Sequence, residues 1–221
     1  MPATAKAEET GLKILEAALT LFREQGFESA TMRQIAEKAG VATGAAYYYY
    51  PSKDAIVMDF YQRSVAAMEP EMARVFTTFK TLEDRLRELI RVKLTHFAPN
   101  RSVLRALLKG GADPRNPLSP FSPETREIRD ADIARFARML ADCGFRLPRD
   151  LEPHLPRVLW LFQMGVIFFW IVDDSPQQAR AERLVGLASK IVANLVRLSA
   201  LPLLRPLRKT VVELIEIVEG A

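Results

Sequence analysis

Cysteine is almost missing from this chain. Cys143 is the only one in 221 residues, so no intrachain disulfide can form and a reducing cytoplasm is the expected compartment. Histidine is nearly as scarce. His96 and His154 are the only two, with no close His/Asp/Glu pairing, so neither a metal nor a cofactor is expected. No nucleophile–base pairing is recognisable either, which points away from an enzyme. The longest apolar run, Val158–Val172, is broken by Gln163 and falls short of the roughly 20 residues of a membrane span. It reads as a buried helix, and no membrane partner is expected. Charges occur throughout the first thirty residues, which argues against a secretory signal there.

An excess of one charge sign is also lacking where it would be most telling. The whole chain carries only +4. Residues 1–53 hold six basic side chains and six acidic ones, which sum to zero. Composition alone therefore makes no case for nucleic acid; such a case must rest on which face the charges occupy. Apolar content of 49% and charged content of 26% are ordinary for a globular chain able to bury its own core.

No alternating strand pattern and no internal repeat appear, and the fold class expected is all-α. Leu15, Ala18, Leu21 and Phe22 recur at helical spacing, so residues from about 9 to 25 form a first amphipathic helix, stopped by Gly26. Thr31 with Gln34 three residues on has the arrangement of a capping box for a second helix. Its apolar face is Met32, Ile35, Ala36 and Ala39. Gly40 supplies a left-handed cap, and Val41 fills the space between helices. A third helix must lie between Ala42 and Tyr50, because Pro51 disfavours helical geometry in the residue before it. Ser52 caps a fourth. Further helices are read at about 53–76, 81–98, 101–110, 123–142, 153–173, 176–199 and 205–219. Ser122-Pro123 and Ser175-Pro176 each read as a cap followed by the first helical residue. The stretch 112–122, with Pro114, Pro117 and Pro120, reads as a stiff surface connector, a lid or ligand entrance being the other reading.

Two short helices joined by a tight turn form a helix-turn-helix, and its second helix ends in four consecutive tyrosines, Tyr47–Tyr50. Four consecutive positions sweep about 300° around a helix, so at least two rings must face outward. If Ala46 and Tyr50 point inward, Thr43, Gly44, Ala45 and Tyr48 face the side that meets base edges in such motifs. Thr43 and Tyr48 carry hydroxyls there, and Ala45 can touch a thymine methyl. Tyr47 and Tyr49 flank that face with hydroxyls for phosphates. Thr31 and Arg33 at the second helix N-terminus, and Lys53 at the fourth, are further phosphate candidates.

The run TMRQIAEKAGVATGAAYYYYPSKDAI resembles the DNA-binding head of the TetR family of bacterial transcriptional regulators, from about Leu12 to Ile56. Ala42, Thr43 and Ala46 depart from the residues often found at those positions in the family. Without a side-chain cap at position 42, helix three loses about 1 kcal/mol unless Thr43 or Gly44 takes over. The resemblance implies a head at 1–53 and an effector-binding and dimerisation body at 54–221. It also implies a homodimer that meets successive major grooves of a pseudo-palindromic operator. The candidate dimer helices are 153–173, apolar on nearly every side, and 176–199. A small-molecule pocket is implied as well. Its candidate lining is Phe79, His96, Phe97, Phe136, Met139, Trp160, Gln163, Met164 and Phe168, with His96 as polar anchor and a largely apolar ligand.

The reading is thus a cytoplasmic repressor released from DNA by a small apolar effector. Its rival is an α-helical ligand-binding or protein-interaction module that no longer reads DNA, kept open by the neutral charge of residues 1–53. LPLLRPLRK at 201–209 reads as a packed C-terminal extension rather than a membrane-surface segment.

Overall fold

The computed structural model describes residues 5–111, 113–144 and 147–219, leaving out Ala112, the first residue of the proline-punctuated connector. Every regular element among the described residues is helical. Backbone contacts divide the chain into two compact units. One runs through Ala67 and includes His96–Arg129; the other comprises Met68–Thr95 and the chain from Asp130 onward.

The first unit holds α1 (Ala5–Gln25), α2 (Met32–Ala39), α3 (Thr43–Tyr49), the start of α4 (Lys53–Thr78) and α6 (Arg101–Leu107). Helix α1 buries Leu15, Ala18 and Phe22 of the stripe its spacing predicts, together with Ile14 and Leu19, while Leu21 is half-buried. Gly26 then takes φ +88°, open to glycine at little cost, and the chain turns. The capping box is complete: the Gln34 amide donates to Thr31 Oγ1 at 3.3 Å, and the Thr31 amide donates to Gln34 Oε1 at 2.9 Å. Gly40 ends α2 at φ 69°, its amide donating back to the Ala36 and Glu37 carbonyls. Ser52 caps α4 by accepting from the Ala55 amide at 3.1 Å. Helix α4 continues through Pro70, where one backbone donor is missing.

The second unit contains most of α5 (Leu82–Phe97) and α7 (Arg126–Asp142), with α8 (Leu155–Val172), α9 (Ala179–Leu198) and α10 (Arg205–Glu219). Helix α8 alone among the described residues is long and apolar enough by composition to cross a membrane, and half of it is buried. Its inner face, Leu159, Trp160, Gln163, Val166, Ile167 and Trp170, packs into the core. Helix α10 bends 98° away from α9. Arg208 fixes its start, donating from Nε to Asp150 Oδ2 at 2.8 Å and from a terminal nitrogen to the Ser199 carbonyl at 2.9 Å. Leu203, Leu207, Leu214 and Ile217 stay in solvent, so the expected packed extension covers only part of itself.

Three expected boundaries shift, each for a local reason. The helix read from residue 123 begins at Arg126, because Ser122 and Thr125 hydroxyls make their own turn, Thr125 donating to the Ser119 carbonyl at 2.8 Å. The helix read over 101–110 tightens after Leu107 into a 3₁₀ turn at Leu108–Gly110. Pro176 opens a 3₁₀ turn rather than an α-helix, since Gln177 and Gln178 adopt φ 55° and 54°. Ser175 caps as expected, its Oγ accepting from the Arg180 amide at 3.1 Å. Asp173 adds a second acceptor for the first turn of α9, taking the Ala181 amide at 2.8 Å and the Ser175 amide at 3.0 Å.

Burial opposes the charge on Asp173, but the donated amides of Ser175 and Ala181 and the Arg180 guanidinium outweigh it. They hold the carboxyl well below its usual 3.8. A folded-state pKa below the unfolded one stabilises fully above the unfolded value, and that stabilisation is lost as pH falls through the folded value. Asp173→Asn should therefore lower the urea midpoint at neutral pH, and the gap from the parent should close as pH drops below about 4. An equal gap across the titration would contradict this account.

Candidate nucleic-acid interface

Helix α3 is only seven residues long, too short to stand without support. Ala46 is fully buried and Tyr50 nearly so, which fixes the inward face as the sequence required. The Tyr50 hydroxyl has one proton and two acceptors nearby: Asp59 Oδ2 on α4 at 2.5 Å and the Gly11 carbonyl on α1 at 3.3 Å. The shorter, charged acceptor takes it. Burial first, then the Asp59 carboxylate, pushes the Tyr50 phenol well above its ordinary range, so it remains a donor. Arg63 completes the group by donating to the same Asp59 oxygen at 2.8 Å.

With that side anchored, the opposite side is left in water. Tyr48 is 85% exposed and Tyr47 51%, while Thr43 and Gly44 are exposed and Ala45 is half-buried. Tyr49 is also half-buried and meets the edge of Tyr48, ring centres 5.5 Å apart at 90°. Ala42 makes no side-chain cap, as its methyl dictates. Its carbonyl accepts from the Ala45 and Ala46 amides at 2.9 and 3.1 Å. Thr31 and Arg33 are exposed at the start of α2.

The neutral total of residues 1–53 conceals how the charges are spent. Lys13 pairs with Glu9 at 2.7 Å and Lys38 with Glu24 at 3.0 Å. Arg23 donates to Asn100 Oδ1 at 2.6 Å. Among the described residues Arg33 has no such partner, so its charge remains available at the start of α2. Lys53 behaves differently from the phosphate ligand its position implied. Its ammonium donates to the Phe27 and Glu28 carbonyls at 2.6 and 3.1 Å and lies 4.7 Å from the Phe27 ring centre. It ties the α1–α2 loop to the start of α4.

A helix held rigidly on one side, with hydroxyls and a methyl on the other, suits a duplex groove. The family comparisons agree. Residues 14–59 match the profile of bacterial regulatory proteins of the tetR family, and residues 85–214, more than half the chain, match a tetracyclin repressor-like C-terminal domain. The chain belongs to the TetR family of bacterial transcriptional regulators.

Among its relatives, the HTH-type transcriptional regulator SrpR of Pseudomonas putida is 51% identical over 49 residues, 22% of this chain and 23% of SrpR. The uncharacterized HTH-type regulator YxbF of Bacillus subtilis is 24% identical over 185 residues, 82% of this chain and 43% of YxbF. These matches thus span less than half of either relative's length. A TetR-family regulator structure from Syntrophomonas wolfei superposes with a TM-score of 0.66 at 19% identity, covering 84% of this chain and 95% of that one. That likeness concerns fold.

In the TetR-type body, Phe136, Met139, Trp160 and Gln163 are buried, whereas Phe79, Met164 and Phe168 are half-buried; all seven lie in the second unit. His96 and Phe97 are half-buried in the first unit, Phe97 packing on Phe60 at 5.9 Å. Sequence reasoning passed over Lys93, Asp132 and Arg135, which meet around Gln163. Their positions 39 and 31 residues apart gave no local signal.

Lys53→Ala should lower folding stability by about 1–2 kcal/mol in urea unfolding, because two carbonyls lose a charged donor. Tyr47→Ala should leave the unfolding midpoint within about 0.5 kcal/mol of the parent, as expected for an exposed side chain. The reverse order of the two effects would refute the assignment of Lys53 as a loop clamp.

Proposed function

We propose that this TetR-family regulator binds a pseudo-palindromic operator as a homodimer, represses from it, and is released by a small, largely apolar effector in the cytoplasm. Residues 1–53 read DNA and residues 54–221 bind the effector and the second copy. The observation that carries the reading is α3 itself: an outward face of Thr43, Gly44, Ala45 and Tyr48 on a helix anchored from behind. Tyr47 and Tyr49 flank it for phosphates, joined by Thr31 and Arg33, while Lys53 supports the loop that presents α2. No catalytic turnover is part of this function.

Dimerisation is supported by a second apolar strip. Helix α9 buries Ala181, Val185, Ala193 and Val196 on one side and exposes Leu187, Ile191, Leu195 and Leu198 on the other. Helix α8 exposes Leu161, Phe169 and Val172, with Gly165 exposed between them. Two apolar strips on neighbouring helices are what an isologous interface requires. The effector acts by binding two arrangements of the body with different affinity, and α4 carries the difference to the heads.

Salt dependence separates this reading from a helical module that ignores DNA. Affinity for DNA flanking its own gene should fall steeply with salt, and Arg33→Ala should reduce the slope by about 1 per head. Thr43→Ala and Tyr48→Ala should change the preferred operator sequence; an unaltered profile for both would remove the base-reading role. Light scattering should give twice the 24.9 kDa chain mass, and Ile191→Glu should move it toward a single chain.

A further inference from the structure

The core of the second unit has one polar layer. Helix α5 places Lys93 there, α7 places Asp132, and α8 places Gln163; the three are 8%, 7% and 1% exposed. Lys93 donates to Asp132 Oδ2, and the Gln163 amide donates to the same oxygen at 3.2 Å. Arg135 donates to Asp132 Oδ1 at 2.8 Å. The neighbours on the same faces are apolar: Ile90 and Leu89 on α5, Phe136 and Met139 on α7, and Trp160 on α8.

Such a layer is a poor device for stability, since desolvating an ion pair offsets most of its attraction. Its hydrogen bonds are also unevenly used. Arg85, buried to a similar degree, spends its guanidinium on the Phe79 and Phe76 carbonyls at 2.8 and 3.1 Å and faces Asp142 at 3.7 Å. Lys93 has three donors and, among the described residues, one acceptor. The Gln163 carboxamide oxygen accepts no hydrogen bond from a described residue. Counted with Glu69, which pairs with Arg135, the charges balance; inside the buried layer itself Lys93 and Arg135 share the single carboxylate of Asp132. Glu69, the other partner of Arg135 at 2.5 Å, is more than half exposed.

We infer that this layer receives the head group of an apolar carboxylic acid, and that the regulator's effector belongs to that class. One carboxylate oxygen takes the unspent Lys93 donors, and the aromatic and aliphatic side chains around the layer take the hydrocarbon. The inference rests on the proposed effector-binding role of the body and adds the chemistry of its ligand. A neutral alcohol of equal length can accept from the ammonium but brings no negative charge to it, and an amine brings a third positive charge to a site with only one buried negative.

Calorimetric titration of the full-length protein with matched straight-chain acids and alcohols, from hexanoate and hexanol to tetradecanoate and tetradecanol, tests this. The acid should bind about tenfold or more tightly than its alcohol, the scale of a hydrogen bond to a charged group. Lys93→Met should abolish that preference, acid binding falling to the level of the matched alcohol. Asp132 keeps Arg135 as partner in this variant, so no buried charge is stranded. Lys93→Arg should retain the preference. Asp132→Asn should widen it, since the positive layer loses its internal counter-ion. Equal affinity for acid and alcohol, or a preference indifferent to Lys93→Met, overturns the inference alone. Failure of every acid and alcohol to bind overturns the apolar-effector reading beneath it.

Discussion

Within the first unit, the hydrogen bond from the Tyr50 hydroxyl to Asp59 ties three helices together at one point. Tyr50 closes α3, Asp59 lies on α4, and the Gly11 carbonyl beside the same hydroxyl lies on α1. Because α3 has only seven residues, its own backbone bonds hold it weakly, and its direction is set by what grips its end. Everything proposed for base reading depends on that grip. A side chain on an unanchored helix could reach a groove edge only by losing orientational freedom at the moment of binding. Lys53 works in the same sense from the other end of the motif, holding the carbonyls of the loop before α2.

The two polar groups differ in what they leave over. At Tyr50, donors and acceptors match: one phenolic proton, one close carboxylate and a guanidinium on the same carboxylate. That arrangement rigidifies. Around Asp132 the Lys93 ammonium has, among the described residues, one acceptor for its three donors, inside an otherwise apolar core. One group makes a fixed platform, the other a buried ion pair for which a ligand is proposed, and α4 begins in the unit of the first and ends in the unit of the second.

Much of the head was legible in the sequence because its signals are local. The Thr31–Gln34 box, Gly40 and Pro51 act within a few residues of themselves, so α2, α3 and the turn between them fall where periodicity and capping place them. The inward assignment of Ala46 and Tyr50 likewise followed from helical spacing. Lys53 escaped notice as a clamp because its partners lie 25 and 26 residues earlier, and a lysine at a helix start looks the same whether it meets carbonyls or phosphates. The start of α7 was misplaced because hydroxyl-to-carbonyl bonds in the Ser119–Thr125 stretch compete with helix formation. In the body, helix existence was readable but relative rotation was not, so Lys93, Asp132 and Gln163 could not be brought together beforehand.

In the proposed homodimer, the uncovered strip on α9 makes abundance part of the control. A chain that reads two half-sites only as a pair occupies its operator in proportion to the square of free protein when that protein is scarce, and nearly linearly once pairs prevail. In that dimer the four exposed leucine and isoleucine side chains of the strip set the concentration at which the change occurs. On the proposed reading, their hydrophobicity tunes the threshold of the genetic switch as directly as any contact with a base.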